Sequence, residues 1–353
     1  MKRIAELDGV RGVAILAVLG VHTGTLRGGN HGVDIFFTLS GFLITSILLL
    51  EFDGTDNISL SRFYARRALR LFPALFVYVA ACALWAIKEP EIFAISPKTA
   101  IASALFYFAN WVLAFGPSSG EPTLGPLAHF WSLSIEEQFY FTWPLFLLVA
   151  FKLRIRRSVI AYTALAVAIL SVAERLYLRH EGASILRIYM GTDTRADGLL
   201  IGCACAFVRD RINIPRRLGL AACWIIAFLL FTTPWASTYW VWGSFFVASA
   251  CTGIVLLSVT TEPDIALRSI VGSQTLIYFG QRSYSLYLWH YVFTHYLLLR
   301  LEALPVPAAI ALVLALSLCA AELSYRLIEQ PFLKFKDRNR SNLALLRHPA
   351  RMT

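Results

Sequence analysis

The chain has 353 residues, of which 58% are hydrophobic and only 15% are charged, and its mean hydropathy is +0.63. Because a soluble domain usually carries about 25% charged residues, this composition excludes an ordinary soluble globular protein. The net charge of +10 comes largely from short basic blocks between apolar segments, a pattern typical of cytoplasmic membrane loops that does not require nucleic acid as a partner. We therefore predict an all-α polytopic membrane protein.

Apolar segments long enough to span a bilayer recur along the whole chain. They cover 10–27, 33–51, 71–88, 99–116, 137–152, 158–173, 193–208, 218–233, 240–260, 275–299 and 306–328. Lys2 and Arg3 place the N-terminus in the cytoplasm, and the later basic blocks reach the same side only if 99–116 does not cross. This predicts about ten transmembrane helices, both termini in the cytoplasm of a bacterial-type inner membrane, and a re-entrant or interfacial segment at 99–116.

The domain organisation predicted from the sequence is simple. Residues 1–335 form one membrane-embedded domain, and residues 336–353 form a basic cytoplasmic tail. The six cysteines fall in apolar segments without CxxC spacing, so we expect small core residues and no metal site.

The first apolar segment carries two ionisable residues, Arg11 and His22. They are three helical turns apart, about 16 Å, and would lie on one face of a helix. Ionisable side chains within a membrane span usually face a protein interior or a wet cavity. One interpretation is a pathway with a cationic contact at one level and a base at another. The other is an arginine at the membrane surface and a histidine that is hydrogen-bonded in the core.

Two acidic positions accompany this segment. Asp34 opens the second apolar segment, and it could orient His22 from the neighbouring helix or simply cap its own helix. Further along, Ser134 and Glu137 fit a capping box at a helix start. That assignment leaves Glu136 free for chemistry or for pairing with an arginine.

A basic stripe follows the second apolar segment. Arg62, Arg66 and Arg70 recur at helical spacing, and Arg67 flanks them. Such a stripe could bind the phosphates of a nucleotide-bearing donor. It could equally bind anionic lipid head groups or set the topology.

Polar residues also interrupt the apolar segments of the C-terminal half. The members of this polar network are Arg195, Asp197, Tyr287, His290, Glu322 and Arg326. The favoured interpretation of the first two, with Asp193, is an internal ion-pair network, and the last two could pair within one helix. Ser283, Tyr287 and His290 form a polar stripe on an otherwise apolar helix.

Taken together, these motifs resemble the acyltransferase-3 family of integral-membrane O-acyltransferases. The resemblance rests on Arg11 with His22 and on the order of the runs GVDIFFTLSGFLIT, RFYARRALRLFP, FWSLSIEEQFY, TRADGLL and YSLYLWH. It implies transfer of an acyl group, usually acetyl, from cytoplasmic acyl-CoA (acetyl-CoA) to a hydroxyl of a cell-envelope or exported glycan. It also implies that Arg11 and His22 are an essential pair, that the arginines at 62–70 bind the donor, and that Glu136 is a recurrent acidic position. Some members carry an extracytoplasmic hydrolase-like domain, which we do not expect here because the chain ends soon after its last apolar segment.

The residues agree with this chemistry. His22 suits a general base for the acceptor hydroxyl, oriented by Asp34 or Glu136, while Arg11 contacts the donor or the intermediate. No GxSxG motif is present, so direct transfer is favoured, with an acyl-histidine relay as a variant. The expected partners are acyl-CoA as a co-substrate, a glycan or lipid-linked sugar as acceptor, and membrane lipid, with no bound cofactor. The alternatives are a transporter or flippase, and acylation of a secondary metabolite such as a macrolide.

Overall fold

A computed structural model of the protein describes residues 4–116, 124–234, 243–261 and 265–334. The α-helices are α1 (Ala5–His22), α2 (His31–Thr55), α3 (Leu60–Lys88), α4 (Pro97–Leu105), α5 (Ala109–Ala114), α6 (Phe130–Lys152), α7 (Arg157–His180), α8 (Ile185–Met190), α9 (Thr192–Val208), α10 (Arg216–Thr232), α11 (Ser244–Thr261), α12 (Ile265–Val271), α13 (Gln274–Gln281), α14 (Ser283–Tyr291) and α15 (Val306–Ser324). No strand occurs in these ranges, which agrees with the all-α prediction. The predicted basic tail, 336–353, lies outside the described residues.

Within the residues that the structure describes, five helices are long and apolar enough to cross a membrane by length and composition. They are His31–Thr55, Leu60–Lys88, Arg157–His180, Ser244–Thr261 and Val306–Lys334. The total of about ten transmembrane helices and the cytoplasmic placement of both termini stay predictions.

The segment 99–116 is interrupted, as its sequence predicted. It consists of the 9-residue helix α4 and the 6-residue helix α5. Tyr107 separates them in a left-handed conformation, with φ of 56°. A spanning helix needs about 20 residues, so neither piece can cross a bilayer by itself.

Helix α3 joins the basic stripe to an apolar segment without a break. Its 29 residues run through Pro73, so the basic residues 62–70 form the first turns of a helix whose remainder is apolar. The predicted start of the span at 71 therefore lies inside a longer helix. A proline inside a helix removes one backbone hydrogen bond, which a membrane helix tolerates when neighbouring groups compensate.

The predicted continuous span 275–299 is instead broken. Helix α13 ends at Gln281, α14 begins at Ser283, and the chain continues as a π-helical segment over Val292–Leu297. The Arg282 guanidinium donates to the Tyr278 carbonyl oxygen at 3.3 Å and also pairs with Glu322 of α15. The side chain at the break thus satisfies a carbonyl group there and ties α13 to α15.

Glycines set the closest helix crossings. A Cβ atom at Gly41 of α2 would lie 1.9 Å from the Leu199 carbonyl oxygen of α9, and one at Gly202 would lie 2.0 Å from the Thr38 carbonyl oxygen of α2. Likewise, a Cβ atom at Gly12 of α1 would lie 2.1 Å from the Leu276 carbonyl oxygen of α13. Small residues permit such backbone approach between membrane helices. A Cβ atom at Gly32 of α2 would also lie 2.5 Å from the Ala14 carbonyl oxygen of α1. Helix α1 is therefore held between α2 and α13, which sets the position of Arg11 and His22.

Candidate active site

A cavity of about 310 Å³ lies between α1, α2, α3, α6 and α14. Its polar lining consists of Arg11, Ser40, Arg67, Arg70, Ser132, Glu136, Tyr140, Ser283, Tyr284 and Tyr287. Aliphatic and phenylalanine side chains of α2, α3 and α6 complete the wall. A concave site with apolar walls and a few converging polar groups is the usual form of a small-molecule site.

Three guanidinium groups border this cavity, and their pairing differs. Arg11 donates to Asp8 of its own helix at 3.2 Å. Arg67 forms a bidentate pair with Glu137, with N–O distances of 2.6–3.0 Å, and lies 3.2 Å from the centre of the Tyr140 ring. Arg70 has no hydrogen bond or ion pair to any described residue, so its charge is available to an anionic ligand.

Glu136 and Glu137 are both engaged, in different ways. The Ser40 hydroxyl donates to Glu136 at 2.8 Å, and Glu136 faces the cavity. Glu137 pairs with Arg67 instead of closing a capping box, because α6 begins at Phe130 and Ser134 lies within the helix. The capping-box prediction was therefore wrong. An acid of this motif does pair with an arginine, but it is Glu137 and not Glu136.

The predicted arginine stripe divides into two pairs. Arg62 and Arg66 both face Glu51 of α2, at 3.7 and 3.5 Å, outside the cavity. Arg67 and Arg70 are three positions apart on another face of α3 and line the cavity. Only the second pair is therefore placed to meet a ligand in it.

His22 ends α1 in a cluster of aromatic and imidazole rings. Its Nδ1 lies 2.9 Å from the Val18 carbonyl oxygen and 3.4 Å from Nε2 of His290. Its ring also lies 5.4 Å from that of Tyr291, edge to face. His22 is not among the residues that line the cavity, whereas Arg11 is. Helix α1 therefore presents Arg11 to the cavity and His22 to the histidine cluster.

Tyr287 connects these two environments. It lines the cavity, and its hydroxyl group donates to the His129 carbonyl oxygen at 2.9 Å and makes a short hydrogen bond with Ser132. The centre of its ring lies 5.6 Å from that of His290, which contacts His22. The predicted stripe of α14 thus contains the residues between the cavity and the candidate base.

Asp34 does not orient His22, contrary to the sequence-based prediction. Its carboxylate accepts a hydrogen bond from Arg195 of α9 at 2.7 Å and lies 2.7 Å from Nδ1 of His31. All three side chains are almost completely buried. Asp34 follows His31 by three positions at the start of α2, so the two side chains share a face. The alternative that Asp34 caps its own helix is also wrong, because Asn30 occupies the N-cap position and Asp34 lies within the first turn. Glu136 does not contact His22 either: it faces the cavity, where Ser40 donates to it, and His22 is not among the residues that line this cavity.

The remaining acidic residues of α9 form ion pairs with other elements. Asp197 binds the buried Arg175 of α7 at 2.7 Å, and Asp193 pairs with Arg187 of α8. The prediction of an internal ion-pair network is confirmed, but Arg195 pairs with Asp34 and not with either neighbour. Residues two positions apart do not face each other on a helix, which explains the difference.

Glu322 and Arg326 do pair within one helical stretch, as their spacing predicted. Glu322 also accepts hydrogen bonds from Arg282 and from the Tyr278 hydroxyl group, the latter at 3.0 Å. None of these four residues lines the cavity, so the cluster holds helices together.

Sequence reasoning missed four of the cavity's polar residues, Ser40, Ser132, Tyr140 and Tyr284. Ser132 and Tyr140 lie four positions before and after Glu136, so one stripe of α6 faces the cavity. That spacing was visible in the sequence. Within the described part of the chain, no group of three potential metal ligands occurs, so the site has no metal-holding arrangement there.

Comparison with known proteins identifies the family. The family model described as an acyltransferase domain matches residues 4–325. The peptidoglycan O-acetyltransferase OatA of Listeria monocytogenes is 36% identical over 96% of this chain, and a putative O-acetyltransferase of Staphylococcus aureus is 35% identical over 95%. A putative peptidoglycan O-acetyltransferase of Bacillus subtilis, YrhL, is 34% identical over 93%.

The chain spans 58% of the length of the first two relatives and 54% of the third. No solved structure is similar to it. The chain therefore belongs to the acyltransferase family.

Proposed function

We propose that this protein is an integral-membrane O-acetyltransferase that transfers an acetyl group from cytoplasmic acetyl-CoA to a hydroxyl group of a cell-envelope glycan. The names of its relatives support the reaction and the acceptor class, with peptidoglycan as the first candidate. They also favour a glycan over a secondary metabolite such as a macrolide. The family match favours group transfer over transport, because the matched family is one of acyltransferases.

The main support for the proposal is the cationic wall of the cavity, which is formed by Arg11, Arg67 and Arg70. Arg70 faces it without a partner among the described residues, and Arg11 and Arg67 border the same space. A donor with several phosphate groups would supply anionic oxygens to these guanidinium groups. The basic first turns of α3 belong to a block that the positive-inside rule assigns to the cytoplasm, where acyl-CoA is available.

The donor would lie with its phosphates at Arg70 and Arg11 and its thioester towards Tyr287. The Tyr287 ring lines the cavity and approaches His290, which contacts His22. This orientation leads the acyl group from the cationic end of the cavity towards the candidate base. The acceptor hydroxyl would then meet the thioester beside His22.

His22 has the geometry of a general base. Its Nδ1 lies 2.9 Å from a backbone carbonyl oxygen, which can only accept, so Nδ1 carries the proton and Nε2 keeps its lone pair. Nε2 would take the hydroxyl proton while the acceptor oxygen bonds to the thioester carbonyl carbon. The carbon–sulfur bond then breaks, and the departing thiolate takes the proton back from the imidazolium. No covalent acyl-enzyme is needed in this direct transfer.

Glu136 would act through the cationic wall and not through His22. It accepts a hydrogen bond from Ser40 in the same cavity and faces the guanidinium groups of Arg11 and Arg67. Asp8 and Glu137 already pair with Arg11 and Arg67, and Glu136 adds a further carboxyl group that faces both arginines. We propose that Glu136 positions these arginines and sets how strongly they hold the phosphates.

The test is acetyl transfer from radiolabelled acetyl-CoA in membranes that contain the protein. Wild type should label a glycan or lipid-linked sugar fraction. Arg70→Ala should raise the KM for acetyl-CoA at least about tenfold, since a hydrogen bond to a charged group contributes about 1.5–3 kcal/mol. Arg62→Ala is the matched control, because Arg62 lies on the same helix but faces Glu51, and its KM should stay within about twofold. Equal KM changes in both variants would refute the assignment of the cavity, and solute uptake without any label transfer would favour the transporter.

A further inference from the structure

We propose that His290 is a positioning residue that fixes the ring orientation of His22 by accepting a hydrogen bond from its Nδ1–H group, the tautomer that the Val18 carbonyl oxygen already favours. This inference rests on the proposed role of His22 as the base and extends it to a second histidine. The two residues are on different helices, α1 and α14, and the centres of their rings lie 4.9 Å apart, edge to face.

The backbone determines which nitrogen of His290 carries the proton. Its Nδ1 lies 2.8 Å from the Tyr287 carbonyl oxygen and 3.0 Å from the Leu286 carbonyl oxygen. Both groups are acceptors only, so Nδ1 must be the donor. In a neutral imidazole the other nitrogen, Nε2, then has a lone pair and can only accept. That atom is the one that faces His22, at 3.4 Å from its Nδ1.

His22 is therefore held from two directions. Its Nδ1–H is shared between the Val18 carbonyl oxygen at 2.9 Å and His290 Nε2 at 3.4 Å. The carbonyl lies on the same helix and moves with His22, whereas His290 provides a reference point on another helix. With Nδ1–H bound, the lone pair of Nε2 is fixed and remains available to the substrate. When Nε2 takes a proton, the Nδ1–H keeps both acceptors, so the imidazolium forms without rearrangement.

His290 is itself immobilised. Its side chain is completely buried, and its ring contacts those of Tyr287, His129 and Tyr291. The Thr294 hydroxyl group donates to the His290 carbonyl oxygen at 3.0 Å, where α14 passes into the π-helical segment. Irregular π-helical turns are frequent at functional sites. A rigid acceptor transmits orientation to His22 better than a mobile one would.

A neutral partner also suits this location. An aspartate in the same place would add a buried charge that needs a cation of its own, as Asp34 needs Arg195. A histidine fixed by two backbone carbonyl groups provides the acceptor without that cost. The chain thus uses imidazole where a soluble hydrolase uses a carboxylate.

Two variants distinguish the effect of the hydrogen-bond acceptor on His290 from the effect of its ring volume. His290→Phe keeps an aromatic ring without a nitrogen, and His290→Gln keeps an amide oxygen within reach of the Nε2 position. We expect His290→Phe to lower kcat about 10- to 100-fold, the range for residues that orient functional imidazoles, with the KM for acetyl-CoA unchanged. His290→Gln should recover kcat to within about fivefold of wild type. Equal losses in both variants, or a change confined to KM, would overturn the proposal.

Nitrogen NMR of protein labelled at histidine provides a readout that does not depend on activity. The His22 signals are identified by their disappearance in His22→Asn. Wild type should show His22 protonated at Nδ1. His290→Phe should keep this tautomer, because the Val18 carbonyl oxygen still accepts from Nδ1–H, but should shift the Nδ1 signal because the second acceptor is gone. An unchanged Nδ1 signal in His290→Phe would overturn the positioning role even if the proposed function holds. Absence of acetyl transfer by wild type would refute the proposed function, while the Nδ1 shift would still decide the contact between the histidines.

Discussion

Replacing Asp34 with asparagine should lower stability strongly and leave the chemistry of each folded molecule almost unchanged. The substitution removes the only negative charge that pairs with Arg195 in the described structure, and the two side chains have exposed fractions of 3% and 0%. Removing one partner of a buried ion pair leaves an uncompensated charge, which costs about 3–5 kcal/mol. His31 also loses its bond to the carboxylate, at 2.7 Å in the native protein.

The matched control is Asp53→Asn. Asp53 pairs with Arg157, but the exposed fractions of these side chains are 49% and 37%. A solvent-exposed pair contributes about 0–1 kcal/mol, so this variant should unfold almost as wild type does. Both variants keep the shape of the side chain and remove one charge that pairs with an arginine, and they differ in burial and in the additional contact of Asp34 with His31.

The assay combines unfolding of detergent-solubilised protein with acetyl transfer per folded molecule. We expect Asp34→Asn to unfold at clearly lower denaturant or temperature, while kcat per folded enzyme stays within about threefold of wild type. If Asp34 oriented the base, kcat would instead fall by roughly 10⁴-fold, as when the carboxylate behind a triad histidine is neutralised. Such a loss at unchanged stability would refute the assignment of Asp34 to the pair with Arg195.

Three further predictions follow from the packing and the charge of the site. Gly41→Ala should destabilise the protein by about 1–3 kcal/mol, because the new Cβ atom would lie 1.9 Å from a carbonyl oxygen of α9. Gly54→Ala is the control and should not destabilise the protein, because its new Cβ atom meets open space. Thermal unfolding compares the two variants. Thr45→Val should cost about 1–3 kcal/mol, because it leaves the buried Trp143 indole N–H without its acceptor at 2.9 Å, as a denaturant titration would show. The KM for acetyl-CoA should rise with ionic strength in wild type and less steeply in Arg70→Ala; equal slopes would contradict direct binding of the phosphates by this arginine.

The helical fold followed from local sequence properties. The apolar composition predicted an all-α chain, and the order of apolar segments and basic blocks indicated that 99–116 is not an ordinary span, because both can be read directly along the sequence. The i, i+4 pair of Glu322 and Arg326 was predictable for the same reason.

Long-range partners could not be predicted in this way. Arg195 lies 161 positions from Asp34, and Arg67 lies 70 positions from Glu137. Several acids were available to each arginine, and only the packing of the helices decided between them. The break at Arg282 depends on Glu322, which is 40 positions away, so hydropathy alone predicted a continuous span. The contact between His22 and His290, which are 268 positions apart, could not be predicted either, because it also depends on the packing of the helices.

The central claim is that His22 is the base for acetyl transfer, and its most direct test compares wild type with His22→Ala in membranes at equal protein levels. Radiolabelled acetyl-CoA is supplied, and label is followed in the glycan, lipid-linked sugar and protein fractions. We expect label to enter a glycan or lipid-linked fraction with wild type and to fall to background with His22→Ala, while binding of acetyl-CoA is retained. Transfer at the wild-type rate by a correctly inserted His22→Ala variant would contradict it.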